Sequence, residues 1–70
     1  MKTTRQKIEI AKRFKEARIQ RELSQQDLAD EMEIHRETVT YIESSTRSIR
    51  AEELGLFAKE LGVTVAWLVG

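Results

Sequence analysis

The chain has no cysteine and no proline, a single histidine, and only three glycines, at positions 55, 62 and 70. Without cysteine, neither a disulfide framework nor a thiolate metal site supplies stability, and His35 cannot form a metal cluster by itself. The same absence is compatible with a reducing compartment. No apolar run approaches the ~18 residues of a membrane span. The start, Met1-Lys2-Thr3-Thr4-Arg5-Gln6-Lys7, lacks the apolar stretch of a signal peptide. The reading is a cytoplasmic protein. With no second histidine and no glycine-rich phosphate loop, nothing is available to build a nucleophile, metal or nucleotide site, so neither an enzyme nor a bound cofactor is expected.

What is present is 70 residues, enough for one compact domain. A chain this short buries roughly 60% of the surface its unfolded form exposes, so the core must come from helix packing alone. The formal net charge is zero, which argues at first against a polyanionic partner. The distribution is uneven. Residues 1–21 carry a local balance of +6, residues 22–34 hold five acids and no cation, residues 35–50 return to +1, and the last segment is −2. A polyanion can therefore meet a basic face while an acidic face points to solvent. The alternative is a mixed, solvated surface with no such partner.

Apolar spacing and the scarcity of helix breakers predict five helices. In the first, Ile10, Phe14 and Ala17 share a stripe while Lys12, Arg13, Lys15 and Arg18 project away, and Leu23 closes the segment. Ser24-Gln25-Gln26-Asp27 reads as a helix start, with Ser24 as N-cap and Asp27 reciprocating from the third position. Leu28, Ala29 and Met32 form the inner face of this short second helix. Glu33-Ile34 make a turn, and Val39 and Ile42 are the inner face of the third. A polar loop, Ser44-Ser45-Thr46-Arg47-Ser48, leads to a fourth helix with Leu54, Phe57, Ala58 and Leu61, and Gly62 suits its left-handed C′ position. Thr64 caps a last turn, with Val63 and Leu68 placed as a hydrophobic staple and Trp67 adding apolar surface. Residues 1–11 are a basic N-terminal segment or the start of the first helix, and 12–70 form the domain proper.

The runs Leu23-Ser24-Gln25-Gln26-Asp27-Leu28-Ala29 and Ile34-His35-Arg36-Glu37-Thr38-Val39-Thr40-Tyr41-Ile42-Glu43, followed by Leu54, Ala58, Leu61-Gly62-Val63 and Trp67-Leu68, resemble the Cro and phage-repressor family, the lambda-repressor-like or XRE helix-turn-helix proteins. The resemblance covers roughly residues 12 to 69 without insertion or deletion, and the spacing of Gln25, Ala29, Ile34, Val39, Ile42 and Glu43 is its specific part. It implies an all-α, five-helix DNA-binding domain whose third helix enters the major groove while the second lies across the sugar-phosphate backbone. The sequence departs from the family pattern in places. Glu33 stands where glycine is usual and must adopt positive φ unless the turn takes another form. Ser44-Ser45 replaces Asn-Gly or Arg-Gly, Ile49 replaces a frequent proline, and Arg50 sits where Ser or Thr would cap the fourth helix, leaving Ser48 as an alternative cap.

Reading DNA needs groups that hold phosphates and groups that reach base edges. In the first turn of the second helix, the Gln25 amide and the unpaired backbone N–H groups can donate to a phosphate oxygen, a role the family resemblance also implies. Gln26 is a second candidate. Arg36, at the exposed start of the third helix, can grip O6 and N7 of guanine, or serve as a plain phosphate contact. Glu37 either accepts from cytosine N4 or pairs with Arg36, and in the first turn it also stabilises the helix dipole. Thr40 and Tyr41, one turn on, can touch a thymine methyl or a phosphate, and covering the core edge is the other reading of Tyr41. His35 either caps the third helix or meets a phosphate. Thr38, the hydroxyls of Ser44, Ser45 and Thr46, and the Arg47 cation are the remaining backbone-contact candidates.

Residues 1–7 are read either as an arm that wraps the duplex or as a frayed start to the first helix. A domain this small recognises few base pairs, so specificity calls for a homodimer on a pseudo-palindromic site. The candidates for its contact are Trp67, Leu68 and Val69, with Ile49 or Leu56 adding to them; core burial is the other reading of Trp67. Related regulators often continue beyond this point into a further domain, so the chain also reads as a candidate fragment with a domain or protein partner elsewhere. The leading function is a nucleoid-associated transcription regulator that represses by occluding a promoter. The competing class is a protein-interaction module, such as an antitoxin acting by binding a protein partner.

Overall fold

The computed structural model describes residues 4–70, in which every regular element is a helix. They are α1 (Thr4–Gln20), α2 (Gln25–Met32), α3 (Arg36–Glu43), α4 (Ala51–Leu61) and α5 (Val65–Val69). The Ile10, Phe14 and Ala17 stripe of α1 is buried as its spacing requires, and α1 packs against α3, α4 and α5. At the centre, Phe14 meets Phe57 edge to face, with ring centroids 5.1 Å apart and planes at 69°. Such a geometry contributes about 0.5–1.5 kcal/mol beyond burial. Leu28, Ala29, Val39, Ile42, Ile49, Leu61 and Leu68 complete the cluster, with Leu23, Met32, Ile34, Leu54 and Val63 packed against it. Residues 4–7 are the first turn of α1; the rest of the expected arm, residues 1–3, lies outside the described residues.

The helix boundaries follow local chemistry. The Ser24 side chain accepts from the Asp27 N–H at 2.9 Å, and the Asp27 carboxylate accepts from the Ser24 N–H at 2.9 Å. Both halves of the capping box are thus present. Its backbone hydrogen bond to Ser24, then its side-chain bond to Ser24, hold the Asp27 carboxyl below its ordinary pKa. Thr64 likewise accepts from the Trp67 N–H at 3.0 Å at the start of α5.

The first four helices end the same way, with a residue in the left-handed region: Glu22 (φ 57°), Glu33 (φ 55°), Ser45 (φ 64°) and Gly62 (φ 71°). At each end the next N–H reaches back five residues, Leu23 to Arg18, Ile34 to Ala29, Thr46 to Tyr41 and Val63 to Ala58, at 2.9–3.1 Å. This pairing satisfies carbonyls that the helix leaves orphaned. Gly62 adopts the conformation freely. The other three carry a Cβ against it, a cost on the order of 1–2 kcal/mol each.

Four expectations are corrected. Arg18 does not project into solvent: it is 9% exposed and forms part of the core's polar edge. Its position four residues after Phe14 places it on the same side of α1. Leu68 is fully buried, so its apolar surface is spent inside the domain and is not available to a second copy. Ile49 is 5% exposed and belongs to the core cluster, where it closes the loop onto α1 and α3 instead of adding to an intermolecular contact. Ser48 does not cap α4; the N-cap is Arg50, whose backbone N–H donates to the Glu53 carboxylate at 2.9 Å.

Candidate nucleic-acid interface

The turn between α2 and α3 contains three residues, Glu33, Ile34 and His35. The left-handed Glu33 reverses the chain, and Ile34 packs against the core. Because Val39 and Ile42 are buried, the opposite side of α3 must face outward, and Arg36, Glu37, Thr40 and Tyr41 are all exposed there. At about 100° per residue, positions i, i+1, i+4 and i+5 share one face. Tyr41 is 49% exposed. Among the described residues neither Arg36 nor Glu37 takes part in an ion pair, with each other or with a third group.

His35 is the exposed N-cap of α3, but its side chain makes no capping bond. Its carbonyl accepts from the half-buried Thr38 at 3.0 Å. The start of α3 thus keeps backbone N–H groups and the positive end of the helix dipole directed outward.

Gln25, the first residue of α2, is held from two sides. Its Nε2 donates to Glu43 Oε1 at 3.2 Å, and its Oε1 accepts from the Thr40 hydroxyl at 3.0 Å. Glu43 is held in turn by Arg18, through Nε to Oε2 at 2.6 Å and Nη2 to Oε1 at 3.0 Å. The remaining end of the guanidinium, Nη1, donates to the Leu23 carbonyl at 2.7 Å. With side-chain exposures of 10% for Arg18 and 5% for Glu43, this is a largely desolvated, bidentate pair. It ties the end of α3 to α1 and to the segment entering α2. An amide nitrogen carries two hydrogens, so Gln25 keeps one N–H beyond the bond to Glu43.

The other candidates are less concentrated. Gln26 is exposed, with its amide on Asp30 at 2.8 Å. Ser44 and Thr46 share a hydrogen bond of 2.9 Å in the loop after α3, and Ser45 beside them is half-buried. The Arg47 cation is engaged: Nη2 lies 2.9 and 2.7 Å from the two Glu53 oxygens, and Nη1 donates to the Ser48 carbonyl at 3.3 Å. A phosphate at Arg47 would compete with Glu53. Burial raises the Glu53 pKa, but the bonds from Arg47 and from the Arg50 backbone outweigh it and leave the carboxyl below its ordinary value.

Two short helices crossing at a three-residue turn, with an outward polar face on the second, form a helix-turn-helix. The family model for helix-turn-helix domains (HTH_3) matches residues 14–68. The chain belongs to this XRE, lambda-repressor-like family. Comparison with curated proteins and with solved structures gave no match to either. As a helix-turn-helix protein of this kind it is a DNA-binding transcription regulator, and its partner is double-stranded DNA. No described helix is long and apolar enough to cross a membrane.

Within the helix-turn-helix, residues expected to read bases share the face of α3, whereas the phosphate candidates divide between the start of α2, the start of α3 and the loop after it. The part that sequence reasoning missed is the support beneath them. Periodicity reads Arg18 as one of the outward cations of α1, and the family resemblance marks Glu43 only by its position. The available signal was the four-residue step from Phe14 to Arg18, which puts a cation on the buried stripe and requires an acidic partner there.

Proposed function

We propose that the protein is a repressor that binds a pseudo-palindromic operator as a homodimer, with α3 of each copy in the major groove. The observation that carries this reading is the exposed, ion-pair-free Arg36 and Glu37 beside Thr40 and Tyr41, on a helix whose opposite face is locked into the core. Arg36 grips a guanine edge, Glu37 accepts from a cytosine amine, and Tyr41 meets a thymine methyl or the adjoining backbone. Gln25, Gln26, His35, Thr38, Ser44, Thr46 and Arg47 hold phosphates and set the docking angle. A second copy is required because one such face spans few base pairs. Trp67 and Val69, 41% and 38% exposed, with Leu56 at 59%, supply apolar surface for the contact.

The test is selection of bound duplexes from a random pool at near-physiological salt, with the wild-type protein and Arg36→Ala in parallel. The expected result is a short palindromic motif that loses information at one symmetric position in the variant, with an affinity loss of about 1–3 kcal/mol. An unpaired, non-palindromic motif overturns the dimer. No enrichment from a folded sample overturns DNA reading by this chain and puts a protein-interaction module in its place.

A further inference from the structure

Thr40 stands on the same face as Arg36, Glu37 and Tyr41, yet its hydroxyl does not point out as a reader's would. It lies 3.0 Å from Gln25 Oε1 and 3.2 Å from the Arg36 carbonyl, both within the protein. Gln25 therefore sits between two α3 groups one turn apart in opposite chemical roles, a donor at Thr40 and an acceptor at Glu43. That polarity fixes which end of the amide is which. The carboxylate accepts only, so nitrogen must face Glu43 and oxygen must face Thr40. Glu43 cannot drift, because Arg18 holds both of its oxygens.

We infer that Thr40 is a positioning residue for Gln25, and that its hydroxyl and the Glu43 carboxylate together hold the Gln25 amide so that its second N–H donates to a phosphate oxygen. This rests on the proposed DNA-binding role of the same face. A free glutamine side chain would have to be ordered on binding, at a cost in rotamer freedom. Here the ordering is done in the unbound protein, by two hydrogen bonds that a phosphate does not have to displace. Direct base readout by the α3 face then falls to Arg36, Glu37 and Tyr41, and a change in the Thr40 hydroxyl alters affinity without altering the motif.

The decisive variants are Thr40→Val, which keeps the shape and removes the hydroxyl, and Thr40→Ser, which keeps the hydroxyl. Binding is measured against the selected duplex and a scrambled duplex, and the selection is repeated with each variant. The expected result for Thr40→Val is a loss of about three- to tenfold on both duplexes, the size of one lost hydrogen bond, with an unchanged motif and recovery in Thr40→Ser. A changed base at one symmetric position makes Thr40 a reader and overturns the inference; so does unchanged affinity. A second readout needs no DNA. In the free protein the Gln25 amide hydrogen that faces Glu43 should exchange more slowly than its geminal partner, a pattern weakened in Thr40→Val, where the amide oxygen is no longer held, and kept in Thr40→Ser. If the wild type binds no duplex but shows this pattern, the functional reading fails and the positioning stands; if the wild type lacks the pattern, the positioning fails.

Discussion

Removing one partner of the Arg18–Glu43 pair should cost far more than removing both. In Arg18→Met, the Glu43 carboxylate stays at 5% exposure with only the Gln25 amide, at 3.2 Å, as a remaining side-chain partner. The Leu23 carbonyl also loses its 2.7 Å donor. An uncompensated buried charge of this kind destabilises by about 3–5 kcal/mol. A domain of 70 residues has about 3.5–10 kcal/mol in total, at 0.05–0.15 kcal/mol per residue, so the single variant forfeits a large part of its stability. The melting temperature should fall by more than about 12 °C, at 4–8 °C per kcal/mol for a domain of this size. In Arg18→Met with Glu43→Leu, no charge remains to be solvated and apolar volume fills the site. That double variant should recover most of the loss, to within about 1–2 kcal/mol of wild type, the remainder coming from the Leu23 carbonyl left without its donor in both variants. Urea unfolding followed by helical circular dichroism gives the stabilities of all three proteins, and Trp67, the one tryptophan, reports on α5. A loss below about 1 kcal/mol in the single variant, or a double variant no more stable than the single, would show that the pair is solvated and refute the argument.

Two further outcomes test the helix ends. Glu33→Gly removes a Cβ from the left-handed region and should stabilise the domain by about 1 kcal/mol, read as a higher urea midpoint with an unchanged slope; a lower midpoint would mean that the Glu33 side chain contributes more than its backbone costs. Acid sensitivity follows from Asp27 and Glu53, whose carboxyls are both held below their ordinary values of 3.8 and 4.5. The stability they contribute is present above those values and is lost as pH falls through the lower, folded-state ones. Asp27→Asn should therefore weaken the domain near neutrality and flatten the decline between about pH 5 and pH 2, while an unaltered pH profile would remove Asp27 from the cause.

Most of the fold was legible because its signals are local. The capping box at Ser24 and Asp27, the left-handed Gly62 and the Thr64 cap each depend on residues within a turn of one another, and each stands as read. The turn at Glu33 was open to two forms, and the left-handed one is found. Glu22 and Ser45 adopt it as well, with nothing in their residue types to announce it. The outward face of α3 was legible from the burial of Val39 and Ile42 alone. The partners of Gln25, Thr40 and Arg47 were not. Their bonds to other side chains join residues 6 to 18 positions apart, where periodicity carries no information. Leu68 and Ile49 failed as contact candidates for a related reason: an apolar residue near a chain end or in a polar loop reads the same whether it is covered by its own domain or by another.

The left-handed Glu33 and the buried Arg18–Glu43 pair both cost stability that a simpler solution would keep, and they converge on one piece of the molecule. Glycine would relax the turn, and a pair of apolar side chains would fill the site beneath Gln25 without desolvating charge. What apolar replacements lack is direction. A hydrophobic contact between α1 and α3 tolerates small rotations, whereas a bidentate guanidinium on Glu43, with a carbonyl on its third side, fixes the end of α3 in both angle and depth. Glu43 then hands that orientation to Gln25, which Thr40 holds from its other end. The polar chain runs from the core to the outward side of α2 and α3, so rigidity of that side is built on residues that apolar side chains could replace at little cost in stability.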